Sequence, residues 1–333
     1  MIAANPHMRA PQVIPFRRIG KAMQVTMHLG AHRCASSSFQ EYLRQNSEVL
    51  EKKGLGYWGQ GNTRQGVLHG ILPVPSARPS RDLARRAQGR LRMRLDQCRG
   101  QGLRHLLISD TNLVGNLRAN LRFGALYPGV GERMARFAEA FDGALTSVVL
   151  NIRSLETYWS SALNYAVARG HRVPGAVQTQ ALAENPRGWR DVITDIACAM
   201  PDVDLKIMPF ETFGGRPELQ LGLLTGQEAP MEHARVRLNA SMRLQDLRSH
   251  LLQDTARDLP EGEGRWRPFD ERQCALLRET YADDLMWLAS GADGLAQLLR
   301  DPEQQAAGPN SRHHDETRGR PHDDQDRQLA GSG

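Results

Sequence analysis

Two clusters in this sequence carry the residue types that grip anions. The first is Ala31-His32-Arg33-Cys34-Ala35-Ser36-Ser37-Ser38, with small side chains, three consecutive hydroxyls and one permanent cation. Small residues let backbone N–H groups approach an anion closely. Hydroxyls add neutral donors, and a guanidinium adds charge in a two-pronged geometry. The second cluster is Arg153 with Ser161, a bidentate clamp paired with a neutral orienting donor. Both suit a phosphate-type group. The serines also suit a helix cap, and an exposed Arg with a helix-face Ser is the plain reading of the second pair. Asp110, His69 and His32 are the groups available to move a proton.

The surrounding periodicity predicts how these residues are held. Val25, Met27 and Leu29 alternate with Thr26 and His28, Gly30 marks a turn, and Phe39, Tyr42 and Leu43 recur at helical spacing. This is a strand, a loop and a helix, so the loop abuts the unpaired N–H groups and positive dipole end of a helix. Arg153 follows a strand over 148–152. A helix comes next, with Leu155, Trp159, Ala162, Leu163 and Ala166 as its apolar stripe, Ser154 as N-cap, and Ser161 off the stripe about two turns in. A buried strand over 103–109 ends in Asp110-Thr111-Asn112, where open α/β sheets place ligands. Asp110 there reads as a general base, a cap for the next turn, or a magnesium-holding carboxylate.

The rest is organised around these elements. Residues 55–59 read as a short strand and 60–75 as a loop with Arg64 and His69. Residues 80–99 read as a basic amphipathic helix, with Ala84, Ala87, Leu91, Leu95 and Cys98 inward and seven arginines against two aspartates. Its charged face is solvated or attracts a polyanion. Helices are expected over 132–142, 189–200, 217–224, 243–258 and 269–289, and a strand over 204–210 closed by Glu211. Alternation of strands and helices gives an α/β fold with a mainly parallel sheet covered on both faces. One domain is expected over 23–300, between a loose arm over 1–22 and a polar tail over 301–333 too poor in apolar residues to order itself.

The loop lacks the G-x-x-x-x-G-K-[ST] pattern of triphosphate-binding loops, since Ala35 and Ser36 stand where Gly and Lys belong. It lacks the Arg of a cysteine-phosphatase loop too, because Gln40 occupies that position. It resembles the 5′-phosphosulfate loop of the sulfotransferase family, K-[ST]-G-T-[TS] after a strand. Arg33 matches the catalytic lysine, Cys34 and Ala35 the next two positions, and Ser36 and Ser37 the hydroxyl pair. Arg replaces Lys and Ala replaces Gly. Arg153 and Ser161 resemble the family's 3′-phosphate motif, in the same order and on the same elements.

The resemblance implies a three-layer α/β/α, P-loop NTPase-like sulfotransferase fold. It also implies 3′-phosphoadenosine 5′-phosphosulfate (PAPS) as donor, with His32 to Ser38, Arg153 and Ser161 binding it and no metal required. The acceptor would be a hydroxyl or amine of a carbohydrate, lipid or small metabolite. Arg33 would be catalytic, with Asp110, then His69, then His32 as base. A late loop closes over the nucleotide in several family members, which makes Asn239, Ser241, Arg265 and Arg267 candidates. The rivals are a P-loop kinase or NTPase, a binding protein without catalysis, and a polyanion-binding module. Four scattered cysteines without a C-x-x-C pair argue against a metal site or a disulfide framework and for a reducing cytoplasm. No apolar run approaches a membrane span. A net charge of +6 favours anionic ligands without requiring nucleic acid.

Overall fold

Short apolar runs rich in Val, Leu and Ile form the strands β1 (Gln24–His28), β2 (Leu55–Trp58), β3 (His105–Ser109), β4 (Ser147–Ile152), β5 (Asp204–Pro209) and β6 (Gln297–Leu298). They make one sheet in the order β2-β3-β1-β4-β5-β6, and every strand pairing within that sheet is parallel. The computed structural model describes residues 23–72, 81–251 and 258–303, the side chains of Gln65 and Arg81 excepted. Parallel strands need crossovers. These are supplied by α1 (Ser36–Gln45), α2 (Ser47–Lys52), α3 (Gln60–Asn62), α4 (Arg81–Gly100), α5 (Leu117–Phe123), α6 (Val130–Phe141), α7 (Leu155–Val167), α8 (Ala176–Ala183) and α9 (Trp189–Ala199). Beyond β5 lie α10 (Phe210–Phe213), α11 (Pro217–Thr225), α12 (Leu244–His250) and α13 (Glu271–Ala289).

All residues of β3 and β4 are buried, so side chains are covered on both faces, as parallel sheets require. The stripes expected on the helices are the ones that pack: Phe39, Tyr42 and Leu43 on α1, Leu155, Trp159, Ala162 and Leu163 on α7, and Trp189, Val192, Ile193 and Ile196 on α9 are all buried. β1 lies between β3 and β4, which the chain reaches in opposite directions. The carboxyl end of β1 is therefore the switch point at which open α/β sheets form a crevice, and the loop of residues 29–35 leaves from there.

Several expectations need correction. Residues 60–67 are helical rather than a loop. α3 runs into a single π turn, Thr63–Val67, which ends where Gly66 leaves helical geometry, and the glycines there mask the pattern. Ala84 is exposed, so the buried stripe of α4 starts at Ala87. The last part of the helix expected over 243–258 lies largely outside the described residues, as do the arm over 1–22 and most of the tail. Ser154 is the residue before α7, but its side chain caps nothing. Its amide instead donates to Glu211 Oε1 at 2.9 Å.

Beneath the loop runs a buried polar chain. Gln60 Nε2 donates to Gln40 Oε1 at 2.9 Å, and Gln40 Nε2 to Ser109 Oγ at 3.1 Å. Ser109 Oγ meets His28 Nδ1 at 2.7 Å, and His28 Nε2 meets Asn151 Oδ1 at 2.7 Å. Asn151 Nδ2 donates to Gln220 Oε1 at 3.2 Å, and Gln220 Nε2 to the Phe213 carbonyl at 2.8 Å. Because Asn151 presents its oxygen, Nε2 carries the His28 proton and Nδ1 accepts from Ser109.

Burial pushes the His28 imidazole down to about 4, against a smaller upward pull from Asn151. Burial does the same to His105. Between about 6.5 and 4 the unfolded chain therefore binds more protons than the folded one. The stabilisation from keeping these rings neutral is complete above the unfolded value and is lost as pH falls towards 4. Urea titrations should show stability falling steadily from pH 6.5 to 4. In His28→Gln the decline should be shallower, whatever the variant's stability at pH 7.

Candidate anion-binding site

The loop after β1 is wound by three residues with positive φ: Gly30 at 42°, Arg33 at 63° and Ala35 at 60°. Left-handed residues interspersed along a loop turn successive N–H groups inward, which builds an anion nest. Gly30 is also sterically required. A Cβ there would lie 2.5 Å from Ser36 Oγ and 2.7 Å from His28 Cε1. The Cys34 amide returns to the Ala31 carbonyl at 3.3 Å, and the Phe39 amide to the Ala35 carbonyl at 3.1 Å. Among the described residues, nothing accepts from the amides of Ala35, Ser36, Ser37 and Ser38. These donors sit at the positive end of α1, which runs over three turns in the direction that favours an anion.

The second cluster meets this loop directly. Arg33 Nε donates to Ser161 Oγ at 2.9 Å, and Arg153 Nη1 donates to the Arg33 carbonyl at 2.7 Å. Arg153 is further held by Thr157 Oγ1 at 3.0 Å and by the Phe210 ring, 4.1 Å from its guanidinium carbon. Arg33 also reaches Ser241 Oγ at 3.0 Å and lies over Tyr165, whose ring carries Arg169 as well. Ser161 and Ser241 hydroxyls are 2.8 Å apart. Arg153 is itself fixed from behind, because its own carbonyl accepts from Trp189 Nε1 at 2.7 Å.

Burial, and then the charge of Arg153, lowers Arg33 to about 10. Burial lowers Arg153 too. Both remain cationic at neutral pH. Among the described residues neither forms an ion pair. Glu211 is the nearby carboxylate acting on Arg153, and it is engaged by the Ser154 amide and by the Tyr281 hydroxyl at 2.8 Å. A buried and a half-buried like charge with such thin compensation form a site that a multivalent anion would relieve.

A stretch near residues 230–242 lies over the same loop. Tyr42 donates to the Pro230 carbonyl at 2.7 Å and Asn46 Nδ2 to the Glu232 carbonyl at 3.0 Å. The Leu238 amide donates to Ser38 Oγ at 2.9 Å, and Asn164 exchanges two bonds with the backbone of Met242. Of the late candidates, Ser241 is in the site and Arg265 is close enough to act electrostatically on Arg153. Asn239 and Arg267 are exposed.

The remaining sequence candidates separate by role. Ser37 is half-buried, and its hydroxyl makes no hydrogen bond among the described residues. Ser36 is buried and donates to the Ala31 carbonyl at 3.0 Å, so it braces the loop. Cys34 is buried and its thiol is pushed up to about 12 by burial, which makes it packing and not a nucleophile. His69 is exposed. Its carbonyl accepts from Arg90, and among the described residues no bond joins its ring to the loop. Asp110 is buried and receives Arg64 through Nε at 2.8 Å and Nη2 at 2.7 Å, Thr63 Oγ1 at 2.9 Å and the Asn112 amide at 3.0 Å.

Burial alone would raise the Asp110 carboxyl, but these donors, Arg64 first, hold it below its ordinary value. A carboxylate with every lone pair engaged is a poor base. Asp110 instead caps its turn and anchors the π turn. His32 stands on the loop itself, half-buried, with its ring 3.0 Å from the Tyr127 hydroxyl through Nδ1 and also held by Asn112. Burial lowers it to about 4, so the ring is neutral at pH 7.

Sequence reasoning missed Tyr165, Thr157 and Tyr127. Tyr165 had a signal, since it stands four residues beyond Ser161 on the same face of α7. Tyr127 had none, because it reaches the loop only through tertiary packing. Compared with family models, with curated proteins and with solved structures, the chain matches none.

Ala35 adopts φ 60° and ψ 13° as the N-cap of α1 without a side-chain cap. A left-handed alanine costs about 1–2 kcal/mol, of which the extra unfolded-state entropy of glycine returns part. Ala35→Gly should therefore stabilise the protein by about 0.5–1 kcal/mol in urea unfolding. A loss of stability would contradict the assigned loop conformation.

Proposed function

We propose that this chain transfers a sulfuryl group from PAPS to a hydroxyl or amine acceptor, within a three-layer α/β/α fold of the P-loop-like sulfotransferase type. The observation that carries the reading is the direct contact between the two clusters. Arg153 donates to the Arg33 carbonyl while Arg33 donates to Ser161, across 120 and 128 residues of sequence. A donor with a 3′-phosphate and a 5′-phosphosulfate is a single small molecule with two anionic ends. It needs two such grips within one site.

The roles follow from charge. The amides of Ala35 to Ser38 and the Ser37 hydroxyl take the 5′ end, and Arg33 offsets charge developing on the leaving phosphate oxygen. One preorganised donor of this kind is typically worth about 3–4 kcal/mol in the transition state. Arg33 keeps its proton and so acts as a charge and a donor, never as an acid. Arg153 and Ser161 orient the 3′-phosphate, with Thr157 and Phe210 holding the guanidinium in place. Of the candidate bases His32 is the one that lies on the loop, its ring neutral and held by Tyr127, and it takes the acceptor's proton only as bond formation raises that proton's acidity, whereas the Asp110 carboxylate is spent on Arg64 and Thr63. The sulfur–oxygen bond to the phosphate breaks as the bond to the acceptor forms, and the acceptor's proton passes to the base.

Thermal-shift titration tests the nucleotide. Adenosine 3′,5′-bisphosphate should stabilise the protein at lower concentration than ATP with magnesium. A charge-assisted hydrogen bond is worth about 1.5–3 kcal/mol, so Arg153→Ala should weaken the bisphosphate response by roughly 10- to 100-fold. An equal response to both nucleotides, or a bisphosphate response untouched in Arg153→Ala, would overturn the reading.

A further inference from the structure

Away from the loop, a cavity of about 370 Å³ opens between the π turn and α4. Its polar lining is Asn62, Arg90, Arg94, Gln97 and Gln101, with Trp58 at its wall. We propose that this cavity is a second binding site, for a carboxylate-bearing, hydroxyl-rich ligand of the acidic-saccharide class.

Three observations support it. First, α4 places Arg86, Arg90 and Arg94 one turn apart along one row. Asp82 begins the same row, but Arg90 and Arg94, the two that line the cavity, are like charges at a spacing that disfavours a helix, and an anion between them would offset that. Helix packing does not need it, since Ala87, Leu91, Leu95 and Cys98 already bury the inner face. Second, Arg90 Nε is buried and, among the described residues, has no hydrogen-bond partner, while its Nη2 donates to the His69 carbonyl. A buried guanidinium nitrogen left unpaired is costly, and a planar oxyanion supplies the missing acceptor in the geometry a guanidinium prefers. Third, the neutral part of the lining is side-chain amides, which both donate and accept. This matches hydroxyl groups better than it matches a bare ion. The volume lies within the range of small-ligand sites.

The cavity is also joined to the loop region. Gly61, Asn62, Gly66 and Val67 line it, and Thr63 and Arg64 of the same turn bond Asp110 at the end of β3. A ligand in the cavity would therefore brace the turn that Asp110 anchors.

The test uses the full chain and a glucuronate-containing disaccharide, with cellobiose and inorganic phosphate as comparisons, read by thermal shift and calorimetry. The disaccharide should bind, cellobiose should bind at least tenfold more weakly, and phosphate should not reproduce the effect. Arg94→Gln, and Arg90→Gln with Arg94→Gln, should each weaken disaccharide binding by tenfold or more while leaving the response to adenosine 3′,5′-bisphosphate unchanged. That retained response shows the variants are folded and separates this site from the nucleotide reading. No disaccharide binding, equal binding in the variants, or an equal effect from phosphate would overturn the proposal.

Discussion

The structure turns on two arginines joined through a backbone carbonyl and, among the described residues, ion-paired to no carboxylate. Arg153 is locked onto the carbonyl of Arg33, and burial lowers the pKa of both side chains. Such an arrangement is unfavourable taken alone, because each charge is partly desolvated and each repels the other. It persists because the surroundings over-determine it. Phe210 and Tyr165 offer aromatic faces, Thr157, Ser161 and Ser241 offer neutral oxygens, and Trp189 fixes the backbone of Arg153 from the core. Neutral partners orient a cation without cancelling it. The site therefore keeps a standing electrostatic demand, beside a row of unbonded amides that makes the same demand. The left-handed backbone of Ala35 belongs to this picture, since it turns the loop amides toward the same side as the two arginines.

Much of this was legible in the sequence. Short apolar runs placed five of the six strands, one of them by alternation, and helical stripes such as Trp189, Val192, Ile193 and Ile196 identified the buried faces correctly. The two clusters could be placed because both lie where a strand passes into a helix, and that junction has a strong local signature. The π turn at Thr63–Val67 and the two-residue β6 had no such signature, one being masked by glycines and the other too short for any periodicity. Side-chain commitments were the least legible. Nothing local distinguishes an Asp110 that serves as a base from one that receives Arg64, Thr63 and the Asn112 amide. Nothing local says that Ser36 turns inward while Ser37 stays free. These depend on contacts formed across long sequence separations.

The helix α4 and the loop share a logic despite lying apart. In each, cations are placed against local stability, and in each the apolar packing is complete without them. The core is built from the inner faces of the helices and both faces of the sheet, and the charged features are set around that apolar core. That division explains why a single α/β unit can carry two chemically distinct surfaces.

The buried polar chain from Gln60 to Phe213 has one direction throughout. Each amide hands a hydrogen to the next oxygen, and His28 passes the sense of the chain from one half of the sheet to the other. No member can reverse alone, because a reversed amide would set donor against donor on one side and acceptor against acceptor on the other. The row therefore has two self-consistent settings at most, and the terminal Phe213 carbonyl, which only accepts, selects one of them. The crevice floor is in this sense polarised crosswise to the strands, with its dipoles aligned before anything arrives to meet them.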